Sequence, residues 1–294
     1  MPSLKEVRSR ITSTISTQQI TSAMKMVSAA KLRRAQDAIT QMRPYAGKLK
    51  EILSNLTSSA ETSSGGEFSK PREIKNVLLV VITSNRGLCG AFNTNVIRLA
   101  SRVANEKYAS QKQSGKLQIL AIGKKGADFF RKANYPIYSN KSELFDNLSY
   151  DKTSVVAEDI MNVFLSRKMD AIEIFYNQFK NAVSQVITVE QYLPVEQPKP
   201  DSTIKKSSTD YIYEPSKEEI VKTLIPNALK IQLYKALLDS NAAEHAARMT
   251  AMHKATDNAQ DILKGLRLTY NKARQATITK EILEIVGGAE ALKN

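Results

Sequence analysis

Residues 3–43 read SLKEVRSRITSTISTQQITSAMKMVSAAKLRRAQDAITQMR, with neither glycine nor proline. An interior proline costs a helix about 3 kcal/mol and an interior glycine about 1 kcal/mol. A stretch this clean can therefore be one long helix. Ser3 followed by Glu6 has the spacing of a capping box. Leu4, Val7, Ile11 and Ile15, then Ile20, Met24 and Val27, return at helical intervals. Pro44 should kink the helix rather than end it, because residues 45–56 still read helical. About 53 residues at 1.5 Å each would reach ~80 Å.

The other end of the chain repeats the pattern. A helix is expected from near Lys217, bending at Pro226 and stopping at Gly287-Gly288, with only Gly265 between those breakers. Ile262, Leu266, Thr269, Ala273, Ala276, Lys280 and Leu283 alternate by four and three, a heptad seam with small and polar members. Both rods exceed what a globular domain normally holds, and each carries a narrow apolar stripe. An antiparallel coiled coil of the two chain ends is expected; the alternative is two broken helix sets in a compact bundle.

The middle is punctuated and different. Polar stretches at 57–66 and 197–208 flank it. Strand-like runs lie at Val77–Ile82, Leu117–Ile122, 171–176 and 186–192, and helix-like stretches at 91–108, 124–132 and 154–166. That alternation predicts a small Rossmann-like α/β domain with a largely parallel sheet. The divisions are 1–58, an N-terminal coiled-coil helix; 75–195, the α/β domain; and 217–294, a C-terminal coiled-coil helix.

Composition restricts the chemistry. The chain has 294 residues, and 43 Lys and Arg against 29 Asp and Glu leave a net charge of +14, which points to an acidic partner. A single cysteine, Cys89, excludes an internal disulfide, and the two histidines, His245 and His253, lack metal-ligand neighbours in sequence. No metal or cofactor is expected. The best apolar run, Val77–Ile82, is too short to cross a bilayer. A charged start without an apolar h-region argues against a secretory signal.

The first strand runs into Thr83-Ser-Asn-Arg-Gly-Leu-Cys-Gly-Ala-Phe-Asn93, where a doubly wound sheet places ligands. The spacings Gly87-x-x-Gly90 and Gly123-x-x-Gly126 fit neither dinucleotide nor phosphate fingerprints. Tight strand-to-helix turns are the better reading. Cys89 could be a nucleophile at a helix N-terminus; a small semi-buried side chain is the plainer reading. No catalytic constellation emerges.

Charge and apolarity are unevenly placed. Residues 1–50 hold ten basic side chains and only Glu6 and Asp37 as acids. One-signed charge repels itself unless something acidic lies alongside. Nucleic acid is one candidate, but no aromatic residue precedes Tyr45 to stack on bases. Near the other terminus Ile278, Ile282, Leu283, Ile285 and Val286 crowd together. They either pack on the N-terminal helix or enter a socket of another protein.

The segments LKEVRSRI (4–11), TQQITSAMKMVSAAKLRRAQ (17–36), VITSNRGLCGAFN (81–93), DYIYEP (210–215) and AARMTAMHKATDNAQDILKGLRLTYNKARQATITKEILEIVGGA (246–289) resemble the γ subunits of F-type ATP synthases. The resemblance implies the same architecture and no catalytic residue. It implies a central rotary shaft that couples proton-driven turning of the c ring to successive states of the β-subunit sites. Its implied partners are three α and three β subunits around one shaft, the ε subunit and the c ring. The implied place is peripheral, on the cytoplasmic side of a bacterial inner membrane or, alternatively, the matrix side of a mitochondrial one. Arg8, Arg10, Met24, Lys25, Lys31, Arg33, Arg34, Arg274, Gln275, Thr279, Ile282, Ile285 and Val286 match positions that meet α and β. Tyr211 and Glu214 match positions near the c ring and ε. The Gly87–Gly90 turn is structural in that family. A basic coiled-coil protein that binds nucleic acid is the alternative function.

Overall fold

A computed structural model of the chain describes residues 3–58, 68, 72–195 and 217–291. Tyr211, Glu214, residues 59–66 and the stretch 197–208 lie outside the described residues. The order is α1 (Leu4–Ser58), β1 (Val77–Ile82), α2 (Phe92–Glu106), α3 (Ala109–Gln113), β2 (Leu117–Ile122), α4 (Lys124–Lys132), β3 (Ile137–Asn140), a 3-10 turn (Ser142–Phe145), α5 (Tyr150–Leu165), β4 (Ala171–Phe179), β5 (Gln185–Leu193) and α6 (Lys217–Ala291).

Both expected rods are single helices, 55 residues in α1 and 75 in α6. Pro44 and Pro226 sit inside them. Ser3 Oγ accepts the Glu6 amide at 3.2 Å, which is one half of a capping box. The Glu6 carboxylate turns instead to Arg10, 2.7 Å away. Gly287-Gly288 does not stop α6, which continues to Ala291. Glycine tolerates helical φ and ψ as readily as any other conformation; its cost is entropic and does not forbid the helix.

The chain divides into two compact units, Met1–Ala29 with Arg248–Asn294, and Ala30–Ala247. In the second unit a five-stranded sheet has the order β3-β2-β1-β4-β5. β1, β2, β3 and β4 are parallel, and β5 returns antiparallel along β4. The six residues of β1, VLLVVI, are all buried because both sheet faces are covered. Leu78, Val80 and Ile82 face a layer that includes Ile160 and Phe164 of α5 and Leu229, Leu233 and Leu237 of α6. Val77, Leu79 and Val81 face Val96 and Ala100 of α2 and Phe130 of α4. Two short elements, β3 and α3, escaped the sequence reading. Each is too brief to establish a period, and α3 has no buried residue.

Candidate functional site: the paired terminal helices and the sheet turn

In the first unit α1 and α6 run antiparallel in a defined register. The Thr256 hydroxyl donates to Thr21 Oγ1 at 2.9 Å, and Thr21 passes its own proton to the Gln18 carbonyl at 3.0 Å. One turn along, Lys25 Nζ lies 3.2 Å from His253 Nδ1. With the ring proton on Nε2, that nitrogen accepts from the ammonium. Asp257 Oδ2 is 3.6 Å from the same nitrogen.

Among the less exposed positions of α1 here, Leu4, Val7, Ile11, Thr14, Gln18, Thr21, Lys25 and Ser28 alternate by three and four, with the half-buried Ile15, Ser22 and Met24 beside them. Opposite them in α6 are Met252, Thr256, Ala259, Leu263, Leu266, Tyr270 and Ala273. The heptad period expected for α6 is present, but its register is different. Only Leu266 and Ala273 are shared with the expected seam; Ile262, Thr269, Ala276, Lys280 and Leu283 are exposed. On α1, Ile20 and Val27 likewise face outward, 60% and 57% exposed, while Thr21 and Ser28 are buried. The physical reason is that spacing fixes a period but not a phase. Small hydroxyl residues let two backbones approach and satisfy one another, so they hold the seam. The larger apolar residues beside them remain on the outside.

That register also fixes where pairing ends. Continued from Thr21 and Thr256, it puts Leu4 level with Ala273. Residues 274–289 of α6 therefore extend past the start of α1, and every one of them is exposed. Ile278, Ile282 and Ile285, spaced by four and three, form a bare apolar stripe, with Ile282 and Val286 each 54% and Ile285 71% exposed. Of the two readings of this tip, packing against the N-terminal helix is overturned.

The site residues fall into groups. Arg8 and Arg10 are exposed on the first turns of α1, Arg10 paired with Glu6. Met24 and Lys25 are half-buried, about 24 Å further along the helix at 1.5 Å per residue, and the Lys25 ammonium is directed onto α6. Arg274, Gln275, Thr279, Ile282, Ile285 and Val286 all lie on the overhang. The Thr279 hydroxyl is turned back to the Gln275 carbonyl at 3.0 Å. Lys31, Arg33 and Arg34 belong to the second unit and are exposed. The exposed Ile20, Met26 and Val27 of α1 and Leu268 of α6 were missed as surface residues; apolar residues in a helix pattern read as core.

In the second unit the start of α4, which follows β2 and packs on residues 83–85 after β1, is closed to a phosphate. The first amides of α4 would bind one, and each has a partner within the fold. Lys124 N donates to Asn85 Oδ1 at 3.1 Å, Lys125 N to the Ser84 carbonyl at 3.1 Å, and Gly126 N to Thr83 Oγ1 at 2.9 Å. Gly123 has φ +121°, and a Cβ there would meet the Thr83 carbonyl oxygen at 2.0 Å; one on Gly126 would meet Thr83 Oγ1 at 2.8 Å. These glycines serve close approach of α4 to the strand end. Cys89 is buried, with Asn93 Nδ2 3.2 Å from its sulfur. It is a packed side chain of the turn. Among the described residues no three His, Cys, Asp or Glu side chains gather to hold a metal ion, and no helix is long and apolar enough to cross a membrane.

Sequence reasoning also missed the buried charges. Glu173 of β4, 3% exposed, holds Lys107 Nζ and accepts from Tyr108 Oη at 2.8 Å. Burial, then the neighbouring carboxylate, push the Tyr108 phenol up to about 12. Tyr176 donates to Glu190 at 2.6 Å, and its phenol is also raised, chiefly by burial. Partners so far apart in sequence leave no spacing signal.

Comparison with known proteins completes the description. A family model described as ATP synthase matches residues 3–292. The ATP synthase gamma chain of Flavobacterium psychrophilum is 58% identical, covering all of both chains. That of Cytophaga hutchinsonii is 55% identical over the same full extent. Among solved structures, a chain from the central stalk and c-ring of Tetrahymena thermophila mitochondrial ATP synthase is 26% identical, with a TM-score of 0.59 over 80% of this chain and 99% of that one. A chain of Euglena gracilis mitochondrial ATP synthase, at 21% identity and a TM-score of 0.71 over 98% and 94%, shares the fold.

Proposed function

The chain belongs to the ATP synthase gamma-chain family, and from that premise we propose how its own surface does the work of a central stalk. It is the gamma subunit of an ATP synthase, and its role is rotary coupling. Its partners are the α and β subunits, the ε subunit and the c ring, and it associates peripherally with the membrane complex.

The shaft is non-catalytic; the chemistry belongs to the β sites. Three β sites of one sequence adopt different states only if each meets a different face of the shaft. A binding partner shifts a conformational equilibrium by the difference in its contact energy with the two states and by nothing else. The first unit has the unevenness this requires. On α1, Ile20 and Val27 lie a heptad apart on one side, Arg8 and Arg10 point to nearly opposite sides, and the overhang presents an isoleucine stripe. Arg274, Gln275 and Thr279 meet β loops, while Ile282, Ile285 and Val286 turn inside an apolar sleeve of α and β. Met24 and Lys25 meet an acidic lever on β, with Lys25 held by His253, and Arg8, Arg10, Lys31, Arg33 and Arg34 supply positive charge along the shaft. Tyr211 and Glu214 face the c ring and ε. The complex sits on the cytoplasmic side of a bacterial inner membrane.

The observation that carries this is the overhang: an apolar stripe on a helix that has outrun α1, its partner among the described residues of the unit. The test is an Ile282→Cys variant in the assembled α, β and gamma complex, treated with maleimide. Native Cys89 is buried, so labelling reports on the new thiol. Protection in the complex, with labelling of the free chain, is expected. Equal labelling in both contradicts the sleeve. The nucleic-acid alternative is not favoured, since full-length kinship is with gamma chains.

A further inference from the structure

In the unit of residues 30–247, α1, β4 and α6 meet at one side chain. Arg43 NH2 donates to the Phe179 carbonyl, at the end of β4, at 3.1 Å. The same nitrogen lies 3.6 Å from Asp239 Oδ1 on α6. Asp239 is 1% exposed, and neither of its oxygens has a hydrogen-bond partner. Arg43 is half exposed, so the arginine reaches inward from the surface to a carboxylate that is out of water. A guanidinium can serve two acceptors at once because its donors form a fixed fork.

The position along α1 matters as much as the contacts. Pro44 follows directly and has no amide proton, so the Thr40 carbonyl loses its helical donor. The backbone ladder of α1 is thus interrupted beside the arginine. Apolar packing resists separation but is poor at resisting sliding, because its energy depends little on direction. Hydrogen bonds and ion pairs fix register. Further polar ties hold α6 to the sheet nearby: Tyr192 donates to the Leu229 carbonyl at 3.0 Å, and Gln232 donates to Glu190 Oε2 at 3.1 Å and to the Gln191 carbonyl at 3.5 Å. None of these involves α1.

We propose that Arg43 is a positioning residue that locks α1 to β4 and α6 at the proline break, so that torque on the α/β layer passes into both long helices together. This rests on the rotary reading above and adds to it the point where load enters α1. Without Arg43, Asp239 would stay buried without its ion-pair partner, which loosens the joint.

The test uses the complete synthase in membrane vesicles, with ATP hydrolysis and ATP-driven proton uptake measured together. R43A should lower protons moved per ATP by about threefold while hydrolysis continues, in the range by which positioning mutations change coupling. R43K, which keeps the charge and a donor for the Phe179 carbonyl, should recover most of the ratio. R43A/D239N should be no worse than R43A, since both changes break one tie. An unchanged ratio in R43A, or an additive loss in the double variant, overturns the proposal. A lower yield of complex with a normal ratio also overturns it, because that marks Arg43 as a folding contact alone. If the unmutated complex hydrolyses ATP without moving protons, the rotary reading itself fails.

Discussion

At Gly123 the chain comes so close to Thr83 that no side chain fits. The G-x-x-G spacing raised the question of a nucleotide, and the coordinates answer it with three α4 amides bonded to residues 83–85. Gly123→Ala adds a methyl group 2.0 Å from a carbonyl oxygen at φ +121°. We expect a loss of at least about 3 kcal/mol in urea unfolding of the full chain. Gly90→Ala has φ +59° with nothing within 4 Å, and should cost about 1 kcal/mol, the left-handed penalty alone. Equal effects would mean that close approach is not what Gly123 provides. Tyr108 supplies a second residue-level test. Its phenol is raised from 10.0 to about 12, so the folded state holds a proton that the unfolded chain releases above pH 10. Its contribution to stability is intact below pH 10 and declines as pH rises toward 12. Ultraviolet titration of the chain should show a late phenolate step that Tyr108→Phe removes. A Phe variant that loses only an early step would contradict the assigned environment.

Among the elements, much was legible and the remainder failed for definable reasons. Placement of glycine and proline marked both rods, because those residues act locally and at fixed cost. Apolar runs marked β1, β2 and β4, because a strand covered on both faces must be apolar throughout; β5, an edge strand with Val186, Ile187 and Val189 exposed, was marked by its β-branched residues. The phase of the seam was not legible. Ile20, Val27 and Ile262 look like core on one chain and serve as surface, whereas Thr21, Ser28 and Thr256 hold the inside. Arg43 with Asp239 and Lys107 with Glu173 were invisible for a related reason: the fold, not the spacing, brings them together. The register can be tested directly. Leu263 is buried in the seam and Ile262 beside it is 55% exposed. Leu263→Ala should cost about 2–5 kcal/mol in thermal unfolding of the full chain. Ile262→Ala should change it by no more than about 0.5 kcal/mol. The reverse order would restore the register expected from spacing.

Taken whole, the molecule leaves apolar and cationic groups on the surfaces of its terminal helices. An isolated protein gains nothing from that distribution, and a shaft that must present different faces to identical neighbours requires it. Rotation is the most direct test. With α and β subunits fixed to a surface, a probe on Val183→Cys, 83% exposed at the β4–β5 turn, would be followed under ATP. Rotation in one direction, pausing at three equally spaced angles, is the predicted result. A probe that stays still while the complex hydrolyses ATP at its normal rate would contradict the shaft.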